Sequence, residues 1–159
     1  MSTVLDVVIE RTMVLVKTNS ISKLALSGRG IGDKGASILA LVLERNHSLR
    51  EMDLSYNNIT ADGMLCIADA LTNNTTLSYL NIEGNLISHG GDVLAKILQN
   101  NKTITSIQAN KTGLNLVAWE RALKFNCTLT LLEFDQDENT DTIQRNIKEH
   151  LRNNKTLRL

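Results

Sequence analysis

A chain of 159 residues with 42% apolar side chains can bury one sizeable core and falls in the usual range of a single domain. Its 17 Lys and Arg balance its 17 Asp and Glu, so no basic surplus exists to neutralise nucleic-acid phosphates or an anionic membrane, and neither is an expected partner. The two cysteines, Cys66 and Cys127, are too few and too far apart to read as a disulfide framework and are expected to be free thiols in a reducing compartment.

Met1 is followed by Ser-Thr-Val-Leu-Asp, with no positively charged segment and no uninterrupted apolar run. That pattern predicts neither a signal peptide nor a membrane span, and a cytoplasmic location is expected. Residues 1–20 read as an N-terminal capping helix, over roughly 3–16, whose Val4, Leu5, Val8 and Leu15 would cover the first repeat.

From Ile21 the chain repeats. Ile21-Ser-Lys-Leu-Ala-Leu-Ser, Leu49-Arg-Glu-Met-Asp-Leu-Ser and Leu77-Ser-Tyr-Leu-Asn-Ile-Glu align, two degenerate copies start at Ile104 and Leu129, and a sixth begins at Leu157. The units run at about 21–48, 49–76, 77–103, 104–128 and 129–156, with 157–159 the start of a truncated or terminal strand, all within one domain 1–159.

In each unit LxxLxL alternates inward and outward side chains, as in Met52/Leu54 and Leu80/Ile82, and predicts a short strand with one buried face. The turn after it carries Asn57-Asn58-Ile59 or Asn85-Leu86-Ile87, where a buried asparagine can satisfy backbone groups left unpaired by a bend. After Gly35, Gly63 or Gly91 comes a helical stripe, Ala36, Leu39, Ala40, Leu43 and then Met64, Ile67, Ala68, Leu71, with small Ala40, Ala68 and Ala95 facing the sheet. An Asn-rich turn such as Asn73-Asn74-Thr75-Thr76 ends each helix. No unit can enclose its own apolar side, so stability must come from stacking.

These residues resemble the ribonuclease-inhibitor-like class of leucine-rich repeats (LRR), whose unit looks like LxxLDLSxNxIxxxGxxxLAxxLxxNxxL. The match is near-complete over 49–76, good over 21–48 and 77–103, and loose over 104–159. The resemblance implies an α/β solenoid, a curved right-handed βα superhelix with parallel strands on the concave face and helices on the convex face. It also implies a non-catalytic scaffold that binds a partner protein. Relatives of this class include ribonuclease inhibitors, NOD-like receptor sensors and the tropomodulin C-terminal domain, so the alternatives are a cytoskeletal or flagellar structural subunit and a pathogen effector or innate-sensor fragment. At the position where Ala40 and Ala68 are expected to pack, the fourth unit has Glu120, the fifth Lys148 and the first helix Thr12, which fits polar capping units, and Asp135-Gln-Asp-Glu-Asn-Thr-Asp141 replaces the neat turn with a wider acidic loop.

Gly30-Ile-Gly32-Asp-Lys-Gly35 matches GxGxxG ahead of a helix, but the repeat alone explains Gly35, and no acidic partner or βαβ context supports a dinucleotide. His47, His89 and His150 lack metal-ligand spacing, no Ser, Cys or His stands in a nucleophile motif, and Asp135, Asp137 and Glu138 lack EF-hand spacing. No catalytic residue, cofactor, metal or small-molecule substrate is expected. The sequons at Asn58, Asn74 and Asn126 fall at repeat turns and read as turn and cap residues.

The outward strand positions form rows: Ser22, Arg50, Ser78, Thr105, Thr130; Lys23, Glu51, Tyr79, Ser106, Leu131; Ala25, Asp53, Asn81, Gln108, Glu133; and Ser27, Ser55, Glu83, Asn110, Asp135. Tyr56 and Tyr79, the protein's only tyrosines, lie on or beside this face among Glu51, Asp53, Glu83, Glu133 and Asp135, and rigidly presented aromatic residues are favoured anchors. Arg50, Glu51, Asp53, Tyr56, Tyr79, Asn81, Glu83, Gln108, Glu133 and Asp135 are therefore the expected contact residues, and the expected partner is a protein with a basic surface. Five strands at about 4.8 Å spacing give a face only ~20 to 25 Å wide, enough for one helix or a short segment.

Overall fold

The computed structural model describes Val14, residues 18–136 and residues 138–157. The N-terminal capping helix expected over 3–16, including Thr12, and Asp137 of the acidic loop lie outside these residues, Val14 apart.

From Lys23 on, among the described residues, five strands alternate with five helices: β1 (Lys23–Ala25), α1 (Gly32–Leu43), β2 (Glu51–Asp53), α2 (Ala61–Asn73), β3 (Tyr79–Asn81), α3 (Ser88–Leu98), β4 (Ser106–Gln108), α4 (Leu116–Leu123), β5 (Leu131–Glu133) and α5 (Asp141–Thr156), the last preceded by a 3-10 turn at Glu138–Thr140. The strands form one parallel sheet in chain order. Lys23, Glu51, Tyr79, Ser106 and Leu131 lie in one row and Ala25, Asp53, Asn81, Gln108 and Glu133 in another.

The core is continuous along the stack because each helix turns its stripe onto the sheet. Leu39, Ala40 and Leu43 of α1, Ile67, Ala68 and Leu71 of α2, and Leu94, Ala95 and Leu98 of α3 are buried against Leu24, Met52, Leu80 and Ile107. Burying one such leucine or isoleucine contributes roughly 1.5–3 kcal/mol, realised only when the neighbouring unit covers it. Helices approach closely at glycine: a Cβ at Gly90 would stand 2.8 Å from the Ala61 carbonyl oxygen and from Met64 Cβ.

Two asparagine series tie unit to unit. At the turns, Asn57 accepts from the Arg29 and Ile31 N–H groups and donates to the Leu26 and Ser55 carbonyls. Asn85 repeats this one unit on, accepting from Asn57 and Ile59 N–H and donating to the Leu54, Ile82 and Glu83 carbonyls. At the helix ends Asn46, Asn74, Asn101, Asn126 and Asn154 are all buried. Asn74 Nδ2 reaches back to the Leu43 and Asn46 carbonyls while its Oδ1 accepts from Thr76 and Leu77 N–H, and Asn101 and Asn126 do the same. With both amide ends in use and the side chains buried, the sequon residues Asn74 and Asn126 are cap residues; Asn58 is exposed.

The C-terminal end differs from the sequence expectation. Asn154 turns its amide onto the Asn126 and Leu129 carbonyls, but Leu157 N–H bonds to Asn153 O and continues the helix. Leu157 closes α5 in right-handed helical backbone and is 74% exposed, so the strand expected to start there does not begin at that residue. Residues 158–159 lie outside the described residues. Glu120 is half-buried and accepts from Asn146 Nδ2 at 2.7 Å, joining α4 to α5, whereas Lys148 is exposed and reaches Gln136 Oε1 at 3.1 Å.

Candidate protein-binding face

The exposed sheet face carries the sequence-predicted residues in three groups. At its centre Tyr79, half-buried, donates its hydroxyl to Gln108 Oε1, and Gln108 Nε2 donates to Glu133 Oε2 at 2.9 Å. Burial chiefly, and then the negative charges of Asp53 and Glu133, push the Tyr79 phenol above its ordinary pKa of 10.0, so it stays protonated and uncharged. Asp53 is held in place by Ser55, whose N–H and hydroxyl reach Asp53 Oδ1 at 2.9 and 2.7 Å. Asn81 belongs to this row but is buried; its Oδ1 accepts from Glu83 N–H at 3.0 Å, and its side chain also hydrogen-bonds the Tyr79 phenol, so it supports the site from below.

At the start of the face Glu51 pairs with Lys23 at 2.9 Å. The hydrogen bond and charge of Glu51 raise the Lys23 pKa above 10.5. Arg50, exposed just before β2, holds neighbouring strands through its backbone carbonyl, which accepts from Ser78 and Tyr79 N–H.

On the turn side a residue that sequence reasoning missed organises the third group. Lys111 Nζ lies 3.2 Å from the Tyr56 hydroxyl, 5.5 Å from its ring centroid and 3.8 Å from Glu83 Oε1, and the Tyr56 hydroxyl donates to the same Glu83 oxygen at 2.5 Å. These contacts, led by the hydrogen bond to Tyr56, raise the Lys111 pKa above 10.5. Asp135 accepts from Lys111 N–H at 2.7 Å. The register contained the signal: Gly28, Tyr56, Gly84 and Lys111 occupy one turn position in successive units and all take left-handed backbone, with φ of 64, 54, 67 and 56°. A Cβ at Gly84 would collide with the Tyr56 ring, so Gly84 is what lets the ring lie flat along the stack toward Lys111.

Of the five carboxylates on the face, at Glu51, Asp53, Glu83, Glu133 and Asp135, Glu51 pairs with Lys23 and Glu83 with Lys111. At the centre the charges of Asp53 and Glu133 act on Tyr79, and among the described residues neither carboxylate forms a salt bridge, although the charge of Lys23 reaches Asp53 and Tyr79. An aromatic ring with a neutral hydroxyl between two positioned carboxylates can receive a Lys or Arg side chain by charge and by stacking.

The glycine-rich turn is built for a different task. The N–H groups of Arg29 and Ile31 point to Asn57 Oδ1 and that of Gly32 to Asn57 O, so the donors that would cradle a phosphate are already engaged. Asp33 caps the next helix: its carboxylate accepts from Thr60 N–H (2.7 Å), the Thr60 hydroxyl (2.7 Å) and Gly63 N–H (3.1 Å). Burial alone would raise its pKa, but these three bonds together hold it below the ordinary 3.8. Among the described residues, no group of three or more His, Cys, Asp or Glu is arranged to hold a metal ion, and no helix is long and apolar enough to cross a membrane. Cys66 is half-buried, Cys127 is exposed, and both are free.

Comparison with known proteins agrees with this architecture. Residues 45–68 match the family model described as Leucine Rich repeat. No curated protein sequence matches the chain. Among solved structures, Leiomodin-1 Actin-Binding Site 2 superposes with a TM-score of 0.89 at 18% identity, covering 99% of this chain and 93% of that one. The tropomodulin C-terminal domain of Caenorhabditis elegans does so with a TM-score of 0.79 at 13% identity, covering 93% of each chain. At such identities the likeness speaks for the fold. The chain has the fold of a leucine-rich-repeat solenoid.

Proposed function

We propose that this protein is a non-catalytic interaction module that binds a partner protein through the strand face. The observation that carries the reading is the central site, in which Tyr79 stands on a rigid strand with its hydroxyl fixed by Gln108 and the carboxylates of Asp53 and Glu133 beside it. Side chains fixed before binding lose little entropy on contact, and tyrosine is a common anchor of interface energy. The partner surface that fits presents Lys or Arg there. Arg50, Glu51, Tyr56, Glu83 and Asp135 would form the rim.

Affinity capture comparing wild type with Asp53→Arg, Tyr79→Ala, Glu83→Arg tests this. The variant is expected to keep its circular-dichroism spectrum and to lose a protein that wild type retains. Equal retention by both would move the interface to the helices or the ends of the stack.

A second reading, a cytoskeletal subunit or actin-binding domain, is favoured by the superposition of nearly the whole chain on an actin-binding site of leiomodin-1. Co-sedimentation with filamentous actin, together with a monomer-binding assay, tests it. Saturable binding lost in the triple variant would join the two readings, and failure to bind either form would leave the first without the second.

A further inference from the structure

We infer that the helix-end edge of the third to fifth units is a second docking surface, for an acidic peptide segment of a partner protein that carries an apolar anchor. It lies apart from the Tyr79 site, and either site can fail without the other.

The helix-end asparagines set the geometry. Asn126 Nδ2 bonds the Leu98 and Asn101 carbonyls and Asn154 Nδ2 the Asn126 and Leu129 carbonyls. Asn101, Asn126 and Asn154 therefore stack, and their chain neighbours fall into rows. Before the asparagines stand Gln99-Asn100, Lys124-Phe125 and Arg152-Asn153; after them stand Lys102, Cys127 and Lys155. Lys102 Nζ lies 3.9 Å from Cys127 Sγ, so the second row closes up across the unit boundary. Phe125 is thus bracketed by Lys124 in its own unit, Lys102 in the unit before, and Arg152 and Lys155 in the unit after. Arg121, four residues back, shares its side of the helix end.

Two features separate this edge from an ordinary solvated helix end. The first is charge. Lys102, Arg121, Lys124, Arg152 and Lys155 are all exposed, and among the described residues none forms a salt bridge. Glu120, beside Arg121, is bonded to Asn146, and Glu149, exposed on α5 three residues before Arg152, stands against the excess. The same rows in the first two units read Glu44-Arg45 with His47 and Thr72-Asn73 with Thr75, and hold no comparable excess. The second feature is Phe125 itself, 70% exposed at a position the other units fill with Arg45, Asn73, Asn100 and Asn153. The helix dipole favours a cation at a helix C-terminus, but it gives no reason for an aromatic ring in water there.

A ring surrounded by cations matches an apolar side chain flanked by carboxylates. The patch is local: the acidic residues Asp135, Glu138 and Asp141 lie on the turn side of the fifth unit, all exposed, and the chain as a whole is neutral. A short acidic segment fits that distribution better than a long polyanion such as nucleic acid, which needs a sustained basic track.

Titration of ¹⁵N-labelled protein with a capped amphipathic glutamate–leucine peptide, its lysine-for-glutamate counterpart and its serine-for-leucine counterpart tests this. The glutamate–leucine peptide is expected to move the amide signals of Lys102, Phe125 and Lys155 saturably. The lysine peptide should leave those signals in place, whatever it does at Tyr79, and the serine peptide should bind at least about tenfold more weakly. Phe125→Ser, at an exposed position, is expected to weaken binding about tenfold or more. Lys124→Glu with Arg152→Glu should do the same and remove its salt dependence. No saturable shift at Phe125, or shifts at Tyr79 in its place, would overturn the proposal. Equal binding of the leucine and serine peptides would reduce the edge to bare charge attraction and overturn it too. So would tighter binding of a single-stranded oligonucleotide of the same charge, which would make this a nucleic-acid edge. None of these three results bears on the Tyr79 site, whose own test is the capture experiment above.

Discussion

The first three units and the last two use the same strand register but not the same glue. Over residues 21–103 both asparagine series operate, so strand, turn and helix of each unit are pinned to the next. Beyond Ile104 only the helix-end series continues, through Asn126 and Asn154. At the turn, Thr112 stands where Asn57 and Asn85 stand, and its hydroxyl reaches only the Ala109 carbonyl. Helix length becomes irregular as well: α4 has 8 residues and α5 has 16, against 12, 13 and 11 in α1, α2 and α3. Helix-end asparagine therefore suffices to propagate the stack, while turn asparagine adds a second tie, from turn to turn, in the first three units.

The sharpest way to break that contrast is to delete the side chain in each half. Asn85→Ala leaves two buried N–H donors and up to three carbonyls without their partner and is expected to cost about 3–5 kcal/mol. Thr112→Ala removes one bond and is expected to cost about 1 kcal/mol. Urea denaturation of the two variants measures the difference, and equal losses would mean the turn series does not distinguish the halves.

Glycine gives the next largest effect. Gly84 and Gly113 both hold left-handed backbone, at φ of 67 and 69°, but a Cβ on Gly84 meets the Tyr56 ring whereas one on Gly113 meets nothing within 4 Å. Gly113→Ala is expected to cost about 1 kcal/mol, the backbone share alone, and Gly84→Ala about 2–3 kcal/mol. Adding Tyr56→Ala should return part of the second loss. A double-mutant cycle without coupling would show that the ring moves aside freely.

Much of this was legible in the sequence. Repeat spacing and the LxxLxL alternation yielded the strand rows, because a period of two residues leaves no freedom once one face is buried. The turn-asparagine role was readable from the donor and acceptor needs of a bend. Three features were not. Lys111 reaches Tyr56 across 55 positions of chain, a contact that requires knowing that left-handed turn residues stack. Asn81 reads as outward by alternation yet is buried, its Oδ1 bonded to Glu83 N–H. Leu157 follows an Asn-Lys-Thr triplet like those that open earlier strands, and local helix hydrogen bonding overrode it.

A smaller effect separates the halves by pH. Asp33 caps the following helix from the unit before it, whereas α4 is capped by Asn115, whose Oδ1 accepts from Val117 N–H at 3.2 Å. Asp33 has a folded pKa below its ordinary 3.8, so its contribution is complete above that ordinary value and is lost as pH falls through the lowered one. Asp33→Ala is expected to cost about 1 kcal/mol at neutral pH. The same variant should flatten the acid limb of the stability profile, and an unchanged limb would place acid sensitivity elsewhere. Asn115→Ala should cost a similar amount at every pH.

The smallest expected effect belongs to the Lys23–Glu51 pair. The geometry is close, and the hydrogen bond and charge of Glu51 raise the Lys23 pKa. Its sign is the reverse of the Asp33 case: any stabilisation is present below the ordinary lysine pKa of 10.5 and is lost as pH rises through the raised one. Yet the side chains are 69% and 47% exposed, so water and salt screen the attraction and ordering two long side chains opposes it. Exchanging the pair, Lys23→Glu with Glu51→Lys, should leave the urea midpoint at neutral pH unmoved within error, while the exchange alters which charge a partner meets at the first strand. A clear shift in that midpoint would mean that the ion pair orders the end of the sheet as well as decorating it, and that the regular half owes part of its stability to charge as well as to asparagine.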